Sequence, residues 1–347
     1  MAPGAGQPRR VPLPDALAAV ADAQGGPFTR GQALASGLSA WAVRRLLAEQ
    51  CVELCHGVHA ERVRAALALA DPRRALVLRA SAQVLLCEGA VLSHRTAAVA
   101  HGWPLVGGLP AVPDLTRAPR RSGDTSSVRG VRVADLPSGH RTVLGAIPVT
   151  TAARTVVDVA RTQPVRRALV VADAALARGL DPGELATTAA ELARWPGGRR
   201  AVEVVRGADG RAETPLESLT RWAYAEQGLP PPESQVELYG PDGQLLGRVD
   251  FLWRAQRVIG EADGMGKYDV PGSLREEKRR EERLRRAGFE VVRNDWDDVW
   301  RSAGRVDLGR RVREAFSYAL TRPVVAGVSF RSPSLDELRR RQHRIAA

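Results

Sequence analysis

The segment Arg248-Val-Asp-Phe-Leu-Trp253 sets a carboxylate, Asp250, inside a run that otherwise reads as an apolar β-strand. An unpaired carboxylate in an apolar layer costs several kcal/mol, so this strand needs a cation partner or an opening to solvent. The next strand, Val258-Ile-Gly-Glu-Ala-Asp-Gly264, repeats the demand with Glu261 and Asp263. These two lie two residues apart, and the period of a strand projects such residues to one face. If the two strands pair as a short hairpin, Asp250 and Glu261 come within reach of a single ion. Mg²⁺ takes oxygen ligands at about 2.0–2.1 Å and often uses one or two carboxylates plus water and phosphate. The pattern therefore points to a Mg²⁺ site, with Mn²⁺ as a substitute. A structural reading stands beside it: Asp263-Gly264 is a turn dipeptide, and Asp250 can pair with Arg248 or Arg257 across the hairpin.

The surrounding residues specify an order αβββαβα over 206–321. Thr214-Pro-Leu-Glu217 opens a helix to Gln227, and its spacing alone would explain Glu217 as the far arm of a capping box. Strands follow at Gln235–Tyr239, Leu245–Trp253 and Arg257–Asp263, the first turn being Gly240-Pro-Asp-Gly243. A charged helix runs from Ser273 to Ala287 and stops at Gly288. Phe289–Arg293 reads as a fourth, central strand because little of it is polar, and a last helix spans Asp295 to about Leu320. The tail, 322–347, reads as peripheral.

Lysine is nearly absent. Of 51 Lys and Arg residues only two are lysines, Lys267 and Lys278, and both follow the carboxylates. A compact ammonium can shift its pKa and handle a proton beside a reacting water, whereas a guanidinium stays charged. The charged helix carries Lys278 and Arg279 among seven cations against four carboxylates between Arg275 and Arg286, enough net charge to suit a DNA backbone. Pairs at i,i+4 (Glu276–Arg280, Glu281–Arg285, Glu282–Arg286) also describe a solvated, self-paired face.

The formal charge of +12 points to a polyanionic partner. Residues 1–64 offer a place for one. Short helices at Asp15–Ala23 and after Thr29, a Ser36-Gly-Leu38 turn, a third helix at Ala40–Ala48 and a hairpin around His56-Gly57 together read as a winged helix-turn-helix. Trp41, Leu46 and Leu47 are expected to face inward, while Arg30, Arg44 and Arg45 lie where phosphate contacts are needed. A three-helix interaction module without DNA is the plainer alternative. Residues 65–205 form a middle α+β region with no recognisable active site; His94 there reads as a cap or packing residue. The cysteines, Cys51, Cys55 and Cys87, are odd in number and lack a second ligand pair, so they read as buried thiols. No stretch is apolar over a membrane-spanning length and no signal peptide is evident, which suggests a cytoplasmic protein with no membrane partner.

The run from Arg248-Val-Asp-Phe-Leu-Trp253 through Glu261-Ala-Asp-Gly264, Lys267-Tyr268 and the Arg-rich helix to Gly288-Phe-Glu-Val-Val-Arg293 resembles an uncharacterised family related to very-short-patch-repair endonucleases, within the PD-(D/E)XK superfamily. Gly26-Pro-Phe-Thr-Arg30, Ser36-Gly-Leu38 and His56-Gly-Val58 resemble the winged-helix domain of AbiEi-like type IV antitoxins, and the middle region is similar to the remainder of such actinobacterial fusions. The resemblance implies that Asp250 is the metal-binding Asp, Glu261 the (D/E) and Glu217 the first-helix glutamate. The superfamily lysine would fall at 263, where this chain has Asp263. Lys267 falls where related domains often carry histidine, and Lys278 could reach back as a migrated lysine. The cysteine-bound zinc and paired histidines of the repair enzymes have no counterparts.

Two functions follow as expectations. One is a Mg²⁺-dependent DNA endonuclease in phage defence or DNA repair, with Asp250, Glu261, Glu217 and Lys267 at its site, Asp263 as a further ligand, and the winged helix as targeting module. The other is an antitoxin-like, autoregulatory DNA-binding protein with an inactive nuclease fold and a cognate toxin. Substrate and oligomeric state are open.

Overall fold

The computed structural model describes residues 13–119, 129–264 and 273–346, which form a mixed α/β structure with fifteen α-helices and three sheets among those residues. Contacts divide the chain into two compact units, Met1–Gly102 with Gly108–Thr155, and Trp103–Gly107 with Val156–Ala347.

The first unit opens with α1 (Asp15–Asp22), β1 (Phe28–Thr29), α2 (Arg30–Ala35), α3 (Ala40–Gln50), β2 (Cys51–Cys55) and β3 (Val58–Glu61). Thr29 and Gln32 exchange the two bonds of a capping box at α2, and Ser39 accepts from Ala42 N at the start of α3. Leu17, Phe28, Val43 and Leu46 are buried together, and the strands form a small antiparallel sheet in the order β1-β3-β2. Cys51 closes this core, and burial pushes its thiol up to about 11. One expectation fails: Trp41 is 62% exposed on α3, with the Arg45 guanidinium 5.6 Å from its ring centroid. Helical spacing from buried Val43 and Leu46 leaves Trp41 off the inward stripe.

The rest of the unit comprises α4 (Arg62–Leu69), α5 (Pro72–Leu86), β4 (Val91–Leu92), α6 (His94–Ala100), β5 (Leu115–Arg117), β6 (Val131–Val133), β7 (Arg141–Leu144) and β8 (Ile147–Thr150). The strands make a second sheet, β6-β5-β4-β8-β7. His94 is buried with Nδ1 2.9 Å from Ser93 Oγ.

The second unit contains most of α7 (Ala152–Thr162), then α8 (Val165–Ala177), α9 (Pro182–Glu191), α10 (Gly198–Gly207), α11 (Pro215–Glu226), β9 (Glu233–Tyr239), β10 (Leu245–Trp253), β11 (Val258–Ala262), α12 (Ser273–Arg286), β12 (Glu290–Asn294), α13 (Trp296–Trp300), α14 (Ser302–Leu320), β13 (Ser329–Arg331) and α15 (Leu335–Ala346). The helices after 156 belong here because α8 packs on α11 through a buried ion pair. Arg221 on α11 donates to both oxygens of Asp173 on α8 at 3.0 and 2.7 Å, and Asp209 N adds a third bond at 2.8 Å. Removing one partner of such a pair leaves an uncompensated buried charge, worth about 3–5 kcal/mol.

The large sheet has the order β12-β11-β10-β9-β13; β11 and β12 are parallel and the other neighbours antiparallel. One core cluster joins Leu219, Tyr224, Phe251, Trp253, Leu308 and Val312. A second joins Val236, Leu252, Ile259, Leu284 and Phe289.

Three expectations change. The strand beginning near Phe289 is an edge strand among the described residues, not a central one. It is apolar because Val292 packs into one cluster and Phe289 and Val291 into the other. Its rim is guarded instead by arginines: Arg311 donates to Arg293 O at 2.8 Å, and Arg322 pairs with Glu290 at 3.4 Å. The helix from Asp295 is two helices. Arg301 adopts an extended ψ of 143°, Arg305 caps the Val299 and Trp300 carbonyls, and a Cβ on Gly304 would lie 2.4 Å from Asp297 O. The tail is not peripheral, since β13 extends the sheet beside β9 and Arg331 and Arg341 both pair with buried Glu237, at 2.8 and 2.7 Å.

Candidate functional site

Pairing places Phe251 opposite Gly260, which brings the neighbouring Asp250 across from Glu261. Residues directly opposed in an antiparallel pair project to the same face. The parallel register then sets Glu261 beside Arg293 on β12. On the other side, β9 runs antiparallel to β10 with Ser234 opposite Phe251 and Val236 opposite Val249, so Gln235 falls level with Asp250. A polar row therefore crosses four strands of the sheet.

Each member has defined partners. Asp250 accepts from Ala262 N at 2.9 Å on one oxygen and from Gln235 Nε2 at 3.3 Å on the other. The same Nε2 donates to Glu217 on α11 at 2.9 Å, so one amide joins two carboxylates. Glu217 is 5% exposed. Its remaining bonds come from Glu213 N at 2.9 Å and the Thr214 hydroxyl at 2.9 Å. The capping box is thus only half formed: Thr214 caps Glu217 N, but the glutamate reaches Glu213 N and enters the polar row. Glu261 is 2% exposed and ion-pairs with Arg280 of α12 at 3.2 Å.

Neither cation expected for Asp250 goes to it. Arg248 forms a two-pronged pair with Glu213 at 2.8 and 2.9 Å. Arg257 caps the end of α14 through the Ala319, Arg322 and Pro323 carbonyls. Asp263 lies beyond the end of β11, where Arg293 donates to its carboxylate at 2.5 Å. Lys267 lies outside the described residues. Lys278 and Arg279 are exposed on α12. Arg30 and Arg44 are exposed on α2 and α3, as is Arg45, which pairs with Glu49 at 3.0 Å.

Two members were not among the expected site residues. Arg280 crosses β10: it donates to Arg248 O at 2.8 Å and reaches Glu261, while its expected helical partner Glu276 lies outside the described side chains. The legible signal is Gly247, since a Cβ there would meet Arg280 Cγ and Cδ at 3.2 Å, and a glycine within a strand marks such a close approach. Gln235 carried no such mark. It is 1% exposed, has a positive φ of 55°, and its Oε1 is buried without a hydrogen-bond partner among the described residues. A left-handed backbone at a non-glycine residue costs about 1–3 kcal/mol and persists only where its surroundings enforce it.

Electrostatics follow from the geometry. Burial, and then the Asp250 charge, push the Glu217 carboxyl up from 4.5 to about 8. Buried Tyr224, whose hydroxyl lies 3.5 Å from Asn294 Oδ1, is likewise pushed up by burial and by Asp250. The row resists further negative charge, and Arg280 is a cation paired with Glu261 within it.

No protein-family model matches the chain. It is 35% identical over 158 residues to each of two uncharacterized proteins of Mycobacterium tuberculosis, MT2308 from strain CDC 1551 / Oshkosh and Rv2248 from strain ATCC 25618 / H37Rv. The match spans 45% of this chain and 58% of the length of each relative. Among solved structures, the RV2827C protein of Mycobacterium tuberculosis aligns over 58% of this chain and 79% of its own, with 16% identity and a TM-score of 0.33, too loose a likeness to argue from. No helix among the described residues is long and apolar enough to cross a membrane.

Glu217 sets a pH dependence. Its folded-state pKa lies above the unfolded value, so its contribution to stability is complete below about 4.5 and is lost as pH rises through about 8. Glu217→Gln removes that contribution. In urea unfolding, the stability of the wild type relative to Glu217→Gln should fall steadily between those two pH values; parallel profiles would mean the carboxyl titrates normally.

Proposed function

We propose that the second unit is a Mg²⁺-dependent DNA endonuclease of the PD-(D/E)XK type, and that α1–α3 with the β2–β3 hairpin form a winged-helix module that targets it to DNA. The observation that carries this reading is the meeting of Asp250 and Glu261 across β10 and β11, with Glu217 tied to Asp250 through one amide. The element order α11-β9-β10-β11-α12-β12 supports it, as does the basic α12 alongside.

The donor chemistry suits a hard divalent cation, although no group of three or more His, Cys, Asp or Glu among the described residues is arranged to hold one. Carboxylate and amide oxygens are the donors Mg²⁺ takes, and the buried Gln235 Oε1 has no donor of its own. Asp250 and Glu261 would hold the ion, with Glu217 behind them. Asp263 joins only if it leaves Arg293. When bound, the ion supplies a Lewis acid for the scissile phosphate and lowers the pKa of a water. Mn²⁺ satisfies the same donors.

The chain's own groups have distinct parts. Arg280 keeps a permanent positive charge beside Glu261 and stabilises negative charge building on the phosphate, but a guanidinium does not accept a proton at neutral pH. The role of orienting or deprotonating the attacking water falls to Lys267. Lys278 and Arg279 hold backbone phosphates. Arg30, Arg44 and Arg45 do the same at the targeting module.

With supercoiled plasmid and Mg²⁺ or Mn²⁺, nicking or cleavage is expected, and Asp250→Ala should lower it at least about a hundredfold with an unchanged circular dichroism spectrum. Equal activity in the variant, or none in the wild type on single- or double-stranded DNA, contradicts the proposal.

A second reading, an antitoxin-like or autoregulatory DNA-binding protein with a cognate nucleotidyltransferase-like toxin, is favoured by exposed Trp41, Arg44 and Arg45 on one helix. It requires salt-dependent binding to the protein's own promoter, weakened about tenfold or more by Arg44→Ala with Arg45→Ala and unmoved by Asp250→Ala. Promoter binding indifferent to both arginines would rule this reading out.

A further inference from the structure

Gln235 stands at the β9 end of the polar row, between Glu217 and Asp250, without being needed to close the sheet. Its neighbours Ser234 and Val236 already pair with Phe251 and Val249. The backbone nevertheless turns to φ 55° at this residue, a conformation that glycine would adopt without strain. What a glycine would lack is the amide. Its Nε2 donates to Glu217 at 2.9 Å and to Asp250 at 3.3 Å, and two carboxylates in one apolar layer repel unless something between them donates to both. The other end of the amide is unspent: Oε1 is buried, 1% of the residue is exposed, and no hydrogen bond from the described residues reaches that oxygen. Buried side-chain oxygens are ordinarily satisfied by a donor, a water or an ion, so an orphaned oxygen on the amide that bridges two carboxylates is open to a ligand.

We propose that Gln235 is the neutral member of the carboxylate centre, its Nε2 yoking Glu217 to Asp250 and its Oε1 supplying a further oxygen ligand to the divalent cation held there. The inference rests on the reading that this centre binds such a cation. A neutral oxygen adds coordination without adding charge to a row that already strains to hold Glu217, Asp250 and Glu261 together. It also fixes Asp250 from the side opposite Ala262 N, so both carboxylate oxygens are oriented before an ion arrives.

The test is Mn²⁺ binding to the full-length protein without DNA, by calorimetry and by the electron paramagnetic resonance signal of the free ion. Gln235→Leu removes both ends of the amide, and Gln235→Glu keeps an oxygen in place while losing the neutral donor. Binding that follows the oxygen is expected. Gln235→Leu should raise the Mn²⁺ Kd about 10- to 100-fold. Gln235→Glu should bind at least as tightly as wild type, although its metal-free form melts lower, and added Mn²⁺ should restore its Tm more than that of the wild type. A folded Gln235→Leu protein that binds Mn²⁺ like wild type overturns the proposal while leaving the cation site standing. Loss of binding in Gln235→Glu overturns it too, because that outcome belongs to a residue needed only as a donor; this variant decides the matter if Gln235→Leu does not fold. A wild-type protein that binds no Mn²⁺ removes both this inference and the reading beneath it.

Discussion

The second unit depends on one constraint: three buried or half-buried carboxylates must be accommodated against a sheet that also contributes much of the core. Glu217, Asp250 and Glu261 approach from a helix and two strands, and each is held by a bond that the fold supplies at that point. Gln235 joins the first two, a backbone N–H fixes the second, and Arg280 neutralises the third. Much of the surrounding architecture follows from supplying those partners. Gly247 lets Arg280 cross β10, Arg248 is drawn off to Glu213, and α12 is anchored over the sheet by the same arginine that reaches Glu261.

Arginine carries the structural electrostatics of this unit. Arg221 secures α8 to α11, Arg305 caps α13, Arg257 caps α14, Arg311 and Arg322 close the rim of β12, and Arg331 and Arg341 satisfy Glu237. Five donors in a rigid fork let one side chain serve a carboxylate and several carbonyls at once. Part of the arginine content is therefore committed internally, while the net charge of +12 already counts every carboxylate. The exposed Lys278 and Arg279 on α12, and Arg44 on α3, are the better measure of what remains for DNA.

Local chemistry was the part of the fold written most clearly in the sequence. Thr29 and Ser39 cap the helices they precede, Gly57 and Gly243 turn their hairpins, and the strands carrying Asp250 and Glu261 pair as their alternation required. Features set by distant contacts were not legible. The stretch from Phe289 has the composition of a central strand yet sits at an edge, because composition reports covered faces and not paired edges. The break at Arg301 has no proline or adjacent glycine to announce it, since a packed Gly304 and a capping Arg305 stabilise it from the far side. Spacing along the helix gave Glu281–Arg285 and Glu282–Arg286, but it carried no sign that Arg280 also has a partner on β11. Gln235 was invisible for a related reason: a glutamine in a strand looks like any polar residue until its register with Asp250 is known.

The function of the second unit is decided by whether the row of Gln235, Asp250 and Glu261 receives a cation. The most direct measurement is anomalous diffraction from crystals of the protein grown or soaked with Mn²⁺. A single peak is expected within about 2.0–2.3 Å of oxygens from Asp250, Glu261 and Gln235. Clear density for these side chains with no peak between them, and Glu261 still paired with Arg280, would contradict it.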